Sequence, residues 1–226
     1  MAFSGLAERV AEVRGKIEAA IRRGGHDQQV AIVAVTKTHG PDAVRAAYDV
    51  GLHDVGENKV QEALKKMSSV EVPVRWHLIG HLQRNKVKSL EQFVLLHSLD
   101  SARLADAVCA FGLERGRAVE ALVEVNLSGD ASKGGFAPSD LLPEAERLAS
   151  LSGIRIRGVM TMASFNATEA QLHRTFREAR DALATLVEAG HPAEELSMGM
   201  SNDYEIAVEE GATMVRLGTT LFGARE

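Results

Sequence analysis

Val30-Ala31-Ile32-Val33-Ala34-Val35-Thr36, followed at once by Lys37-Thr38, is the stretch on which the reading of the fold turns. It is a compact, β-branched run with no polar side chain before Thr36, and such a run reads as a strand buried on both faces. A strand of that kind belongs to a parallel sheet covered by helices. Its flanks agree. Before it, Leu6, Val10, Val13, Ile17 and Ile21 recur at spacings of three and four, the apolar face of a helix over residues 6–23, which Gly24-Gly25 ends. After it, Pro41-Asp42 opens a second helix, proline being tolerated in the first turn.

The couplet recurs along the chain. Further strands are expected at His53–Val55, Val74–Ile79, Phe93–Leu96, Val119–Asn126, Ile154–Met162, Leu196–Met200 and Thr213–Leu217, eight with the first. Helical segments separate them at about 41–50, 58–68, 83–90, 101–115, 139–151, 168–189 and 202–210, with a short one near 219–223. Alternating β and α elements imply a parallel sheet with its helices outside. Eight units fit a (β/α)₈ TIM barrel, here with an additional N-terminal helix. An open doubly wound sheet is the competitor, but it would place a glycine fingerprint after the first strand, where this chain has Thr36-Lys37-Thr38. No Pro-, Gly- or Ser-rich linker divides the sequence, so residues 1–226 are expected to form one domain.

Composition bounds the function. The chain has 226 residues, 45% hydrophobic and 25% charged, ordinary for a soluble globular protein. A net charge of −5, from 31 acidic and 26 basic side chains, argues against a dedicated nucleic-acid binder. Cys109 is the single cysteine, which leaves no disulfide framework and no thiolate cluster. No run approaches the ~18 apolar residues of a membrane span, and the opening residues lack a secretory pattern. A cytoplasmic monomer is expected.

In a (β/α)₈ barrel the chemistry sits at the C-terminal ends of the strands. Those ends carry Lys37, Gly56-Glu57-Asn58, Gly80-His81, His97-Ser98, Asn126, Thr161-Met162, Gly199-Met200-Ser201-Asn202 and Gly218-Thr219-Thr220. Lys37 shares the parity of Val33 and Val35, so it should lie beside the low-dielectric interior, which favours the free amine. Such a lysine suits Schiff-base formation with a carbonyl compound; a structural pair with Glu57 is the plainer alternative. The loops after the last two strands offer glycines and the hydroxyls of Ser201 and Thr219, the usual place for a phosphate in barrels. The same hydroxyls could serve only as helix caps. Arg216 precedes Gly218 by two and points inward, where a charge needs a partner: a ligand, or an interior carboxylate such as Glu57 or Glu124. Together these residues point to a phosphorylated carbonyl compound, pyridoxal 5′-phosphate (PLP) or a sugar phosphate, and the residue chemistry leaves both open.

Other features read more plainly. His77 and His81 lie on a strand without the glutamate of a zinc-protease helix. Gly129–Gly135 misses the spacing of a nucleotide loop, Cys109 reads as a small core residue, and Lys65-Lys66 reads as a solvated helix face.

Taken in order, Val35-Thr36-Lys37-Thr38, Gly56-Glu57-Asn58, Trp76-His77-Leu78-Ile79-Gly80-His81-Leu82-Gln83-Arg84-Asn85-Lys86, Gly158-Val159-Met160-Thr161-Met162, Leu196-Ser197-Met198-Gly199-Met200-Ser201 and Val215-Arg216-Leu217-Gly218-Thr219, with Phe222-Gly223-Ala224-Arg225, resemble the pyridoxal phosphate homeostasis protein family. The match runs from about residue 6 to residue 225. That family is similar to the barrel domain of alanine racemases, the fold type III PLP proteins. The resemblance implies PLP held covalently on Lys37 as an internal aldimine, its phosphate on Ser201, Gly218 and Thr219, Arg216 at the pyridine nitrogen and Asn58 lining the ring pocket. It implies a role in intracellular PLP homeostasis without substantial catalysis, with PLP-dependent apo-enzymes as recipients. A guanidinium at the ring nitrogen opposes its protonation and weakens the ring as an electron sink. The alternatives are a PLP-dependent amino-acid racemase of low activity and a Schiff-base aldolase.

Overall fold

The computed structural model describes residues 3–129 and 134–223. Eight strands, β1 (Ala31–Val35), β2 (Asp54–Glu57), β3 (Arg75–Leu78), β4 (Leu95–Leu99), β5 (Val119–Glu124), β6 (Ile154–Met160), β7 (Glu195–Ser197) and β8 (Met214–Leu217), close in chain order into a parallel barrel. β8 returns to pair with β1, with Val33 opposite both Arg216 and Asp54. Outside lie α1 (Leu6–Gly24), α2 (Pro41–Asp49), α3 (Val60–Met67), α4 (Ala102–Glu114), α5 (Leu141–Ala149), α6 (Glu169–Glu188), α7 (Tyr204–Glu209) and α8 (Thr219–Phe222). This is a TIM barrel with an extra N-terminal helix.

The apolar run of β1 is explained by two distinct cores. Val33, Leu95, Leu122, Met160 and Met214 form a small cluster inside the barrel, while Ile32, Ala34 and Val55 belong to the larger layer between barrel and helices. Alternate residues of one strand therefore feed opposite apolar faces, as the period of two requires. α1 lays Leu6, Val10, Val13 and Ile17 into that outer layer. α4 approaches so closely that a Cβ on Gly112 would stand 1.8 Å from the Gly153 carbonyl oxygen.

Boundaries differ from expectation where polar residues lie inside strands. β4 continues through His97 and Ser98, and β2 through Glu57, because each of these side chains finds a hydrogen-bond partner. The helix expected at 83–90 is a 3₁₀ helix over Arg84–Gln92. Its buried residues, Val87 and Leu90, are three apart, which places them in one row at three residues per turn. β7 has only three residues, since Gly199 turns the chain with φ +91°.

The Ala224-Arg225 end of the last family motif and residues 130–133 of the glycine-rich loop lie outside the described residues. No helix among those described is long and apolar enough to cross a membrane.

Candidate functional site at the C-terminal mouth

β1 ends in a tight turn, closed by His39 N–H donating to the Thr36 carbonyl at 3.0 Å. Lys37 and Thr38 are its central residues, and Thr38 has φ +70°. That region is strained for a β-branched side chain, and such strain collects at functional sites. Ala31 and Val33 pack with the cluster inside the barrel, so Lys37, on the same parity, stands at the rim. It is half-buried and has no hydrogen bond or ion pair among the described residues.

Thr36 takes the other face. Its hydroxyl donates to Glu57 Oε1 at 2.5 Å, and Lys66 Nζ donates both to that oxygen at 2.5 Å and to the Thr36 carbonyl at 2.6 Å. Glu57 is thus the partner of Lys66, neither of Lys37 nor of Arg216. Lys66 itself is buried, with 8% of its side chain exposed, where a solvated face was expected. Val60, Ala63 and Lys66 recur every three residues along the buried face of α3, the pattern that would have revealed it. The result is a buried clamp on the carbonyl just before Lys37.

On the neighbouring strands, Gly218 packs against Val35, an added Cβ standing 3.5 Å from Val35 Cβ. The loops after β7 and β8 are tied together: Thr220 N–H donates to Ser201 Oγ at 3.2 Å, and Thr220 Oγ1 to the Ser201 carbonyl at 3.4 Å. Ser201 still has its hydroxyl hydrogen to give. Thr219 begins α8 and is exposed at the same rim. Asp203 braces this loop by accepting from Met200 N–H at 2.5 Å. Burial raises its pKa, against the pull of that hydrogen bond and of Arg216.

Arg216 lies inside the barrel, 5% exposed. Nη1 donates to the Ser197 carbonyl at 2.7 Å and to Ser197 Oγ at 2.6 Å, and Nη2 to the Thr161 carbonyl at 2.9 Å. It has no direct carboxylate bond among the described residues. Burial pulls its pKa down to about 10, partly offset by the charges of Asp203 and Glu124. Below it, Ser197 Oγ lies 2.8 Å from His97, which is 2.9 Å from His77, which is 2.9 Å from Asp54. Burial first, then the neighbouring His77 and Arg216, holds the His97 pKa well below the usual imidazole value. Burial opposes ionisation of Asp54, but hydrogen bonds from His77 and Arg75 outweigh it and hold that carboxyl below its usual range.

Across the mouth, at the end of β5, Glu124 is pushed up to about 7 by burial and by the Asp100 carboxylate, with Arg216 and His81 pulling the other way. Asp100 in turn meets His81 Nδ1 at 2.6 Å.

Lys37, Ser201, Arg216, Gly218 and Thr219 therefore converge on β1, β8 and β7, three strands adjacent in the closed barrel. Asn58 stands beyond the end of β2, on the other side of β1, half-buried and backed by Gly80, where a Cβ would fall 2.3 Å from the Asn58 carbonyl oxygen. Sequence reasoning gave Asp54 and Ser197 no role, named His97 only as a strand end and read Lys66 as solvated. Their partners lie on other strands and no local spacing announces them.

Comparison with known proteins shows the family. The model of the alanine racemase N-terminal domain matches residues 12–226. Pyridoxal phosphate homeostasis proteins of Pseudomonas aeruginosa and Aquifex aeolicus are each 40% identical, covering 99% and 97% of this chain and 97% and 98% of their own. The structure of PipY from Synechococcus elongatus with PLP bound superposes with a TM-score of 0.86 at 38% identity, covering 96% of this chain and all of that one. The chain belongs to the pyridoxal phosphate homeostasis protein family, built on the barrel of the alanine racemase N-terminal domain.

Proposed function

We propose that the protein binds PLP at the C-terminal mouth of its barrel and serves intracellular PLP homeostasis, holding the cofactor covalently on Lys37. The observation that carries this reading is the convergence, on three adjacent strands, of a lysine with no partner among the described residues, a set of hydroxyl and backbone groups at the ends of β7 and β8, and a locked guanidinium. The donor set fits the group. Ser201, Gly218 and Thr219 would hold the phosphate, Asn58 would line the ring pocket, and Arg216 would offer N–H to the ring nitrogen. When bound, PLP supplies a reactive aldehyde on an electron-poor ring. A guanidinium donates only, so the nitrogen it meets stays unprotonated and the ring draws electrons weakly. That favours carriage over catalysis. PLP-dependent apo-enzymes of the cytoplasm are the recipients that this reading implies, with the carrier acting as a monomer. The racemase alternative has Glu124 in its favour, a carboxyl titrating near neutrality across the mouth from Lys37.

The test is absorption of the purified protein with added PLP, before and after borohydride, followed by peptide mapping. A visible band that borohydride removes, with the label on Lys37, is expected, together with loss of label but not of fold in Lys37→Ala. Label retained in that variant would place the attachment elsewhere. Amino-acid α-proton exchange into deuterium at enzyme-like rates would favour the racemase.

A further inference from the structure

A line of hydrogen bonds descends through the barrel from Arg216 to Asp54, where a cavity of about 610 Å³, lined by Asp54, Arg75 and His77, opens at the opposite end. Its two ends fix the direction of every bond between them. A guanidinium can only donate, and an ionised carboxylate can only accept. Asp54 is held ionised by His77 and Arg75, so His77 presents its hydrogen on Nε2 and accepts on Nδ1. His97 must then carry its own hydrogen on Nε2 to serve His77, leaving Nδ1 to accept. The Ser197 hydroxyl gives its hydrogen to His97, and its lone pairs are left for Arg216. With both imidazoles neutral, one arrangement satisfies the whole line. Placing the His97 hydrogen on Nδ1 instead would leave two ring lone pairs facing each other across 2.9 Å.

We propose that Ser197 and His97 are positioning residues for Arg216, and that the one-way line of hydrogen bonds they form with His77 and Asp54 locks the guanidinium with its remaining N–H groups free for a ligand at the mouth. Three N–H groups are fixed by Ser197 O, Ser197 Oγ and Thr161 O. The Nε hydrogen and the second Nη2 hydrogen carry no hydrogen bond among the described residues. The lock matters because Glu124 and Asp203 both attract this cation. A guanidinium released from Ser197 would be free to turn toward either carboxyl and abandon the ligand. The importance of that aim rests on the reading that Arg216 meets the ring nitrogen of PLP, whereas the direction of the line belongs to the chain alone.

The first measurement is therefore made on the unaltered full chain, without and with PLP: long-range ¹⁵N–¹H correlation of the imidazoles near neutral pH. Neutral Nε2–H forms of both His77 and His97 are expected in both states. An Nδ1–H form or a charged ring at either position overturns the proposal, whatever the outcome with the cofactor. The second compares Ser197→Ala with Ser197→Thr. Losing a hydrogen bond to a charged group should weaken PLP binding about tenfold in Ser197→Ala and displace the absorption band of the bound cofactor, while Ser197→Thr, keeping the hydroxyl, restores both. A merely structural role would lower the melting temperature and leave the band in place, and that result overturns the proposal. If the unaltered chain shows no band with PLP, the cofactor reading fails by itself, and the tautomers still decide the direction of the line.

Discussion

Glu124 is a carboxyl whose folded pKa, about 7, stands above its ordinary value of 4.5. The native state therefore holds the proton more tightly than the unfolded chain, and stability falls as the pH rises through that window. Glu124→Gln should remove this contribution to the slope and raise stability at neutral pH by at most about 3 kcal/mol. Urea unfolding at either end of the window checks it, and an unchanged slope would place the titration elsewhere. At the rim, Thr219→Val should weaken binding of PLP about tenfold and of pyridoxal hardly at all, since only PLP brings a phosphate. Equal losses would remove Thr219 from the phosphate set. Lys37 was legible in the sequence because it interrupts an apolar run at a strand end. The burial of His97 and Lys66 was not, because what makes them tolerable inside the protein, Ser197 for one and Glu57 for the other, is known only once the strands are assembled.

Elements were easier to read than their edges. Strong periodicity located α1, α6, β1 and β5, while the edges of β2 and β4 moved because His97, Ser98 and Glu57 look like strand ends until their partners are seen. The 3₁₀ helix at Arg84–Gln92 offers only two buried residues, too few to separate a period of three from one of 3.6. Packing between elements is least visible of all. The approach of α4 to Gly153 depends on two glycines that look unremarkable in the sequence, for a Cβ at Gly153 would itself stand 2.0 Å from the Cys109 carbonyl oxygen. Gly112→Ala must push this helix off the barrel and should cost about 2–4 kcal/mol. Denaturant unfolding would show it, and a loss within experimental scatter would mean that the helix shifts freely.

For the molecule as a whole, two groups make acid harmful. His97 takes up a proton far less readily in the folded state, whereas the unfolded chain does so below its ordinary pKa of 6.5, so its contribution is complete above that value and shrinks as the pH falls. Asp54, held below its usual range, adds a second loss beginning near its ordinary value of 3.8. Glu124 acts in the opposite sense between about 7 and 4.5, masking part of the loss due to His97. In the Glu124→Gln protein the decline below about pH 6.5 should therefore be steeper than in the parent. Parallel acid limbs would show that Glu124 does not titrate in that range, and a flat limb in the Glu124→Gln protein would show that the buried histidine takes up protons after all.

The seam between β1 and β8 also has a meaning in time. Lys37 leaves the ribosome well before Ser201, Arg216, Gly218 and Thr219 are made, and the two groups meet only when β8 pairs with β1. A nascent chain thus carries its amine long before it has any place for a phosphate. It can acquire its cargo in the proposed manner only after β8 has been made, so that a product truncated before β8 would be a poor sink for the aldehyde.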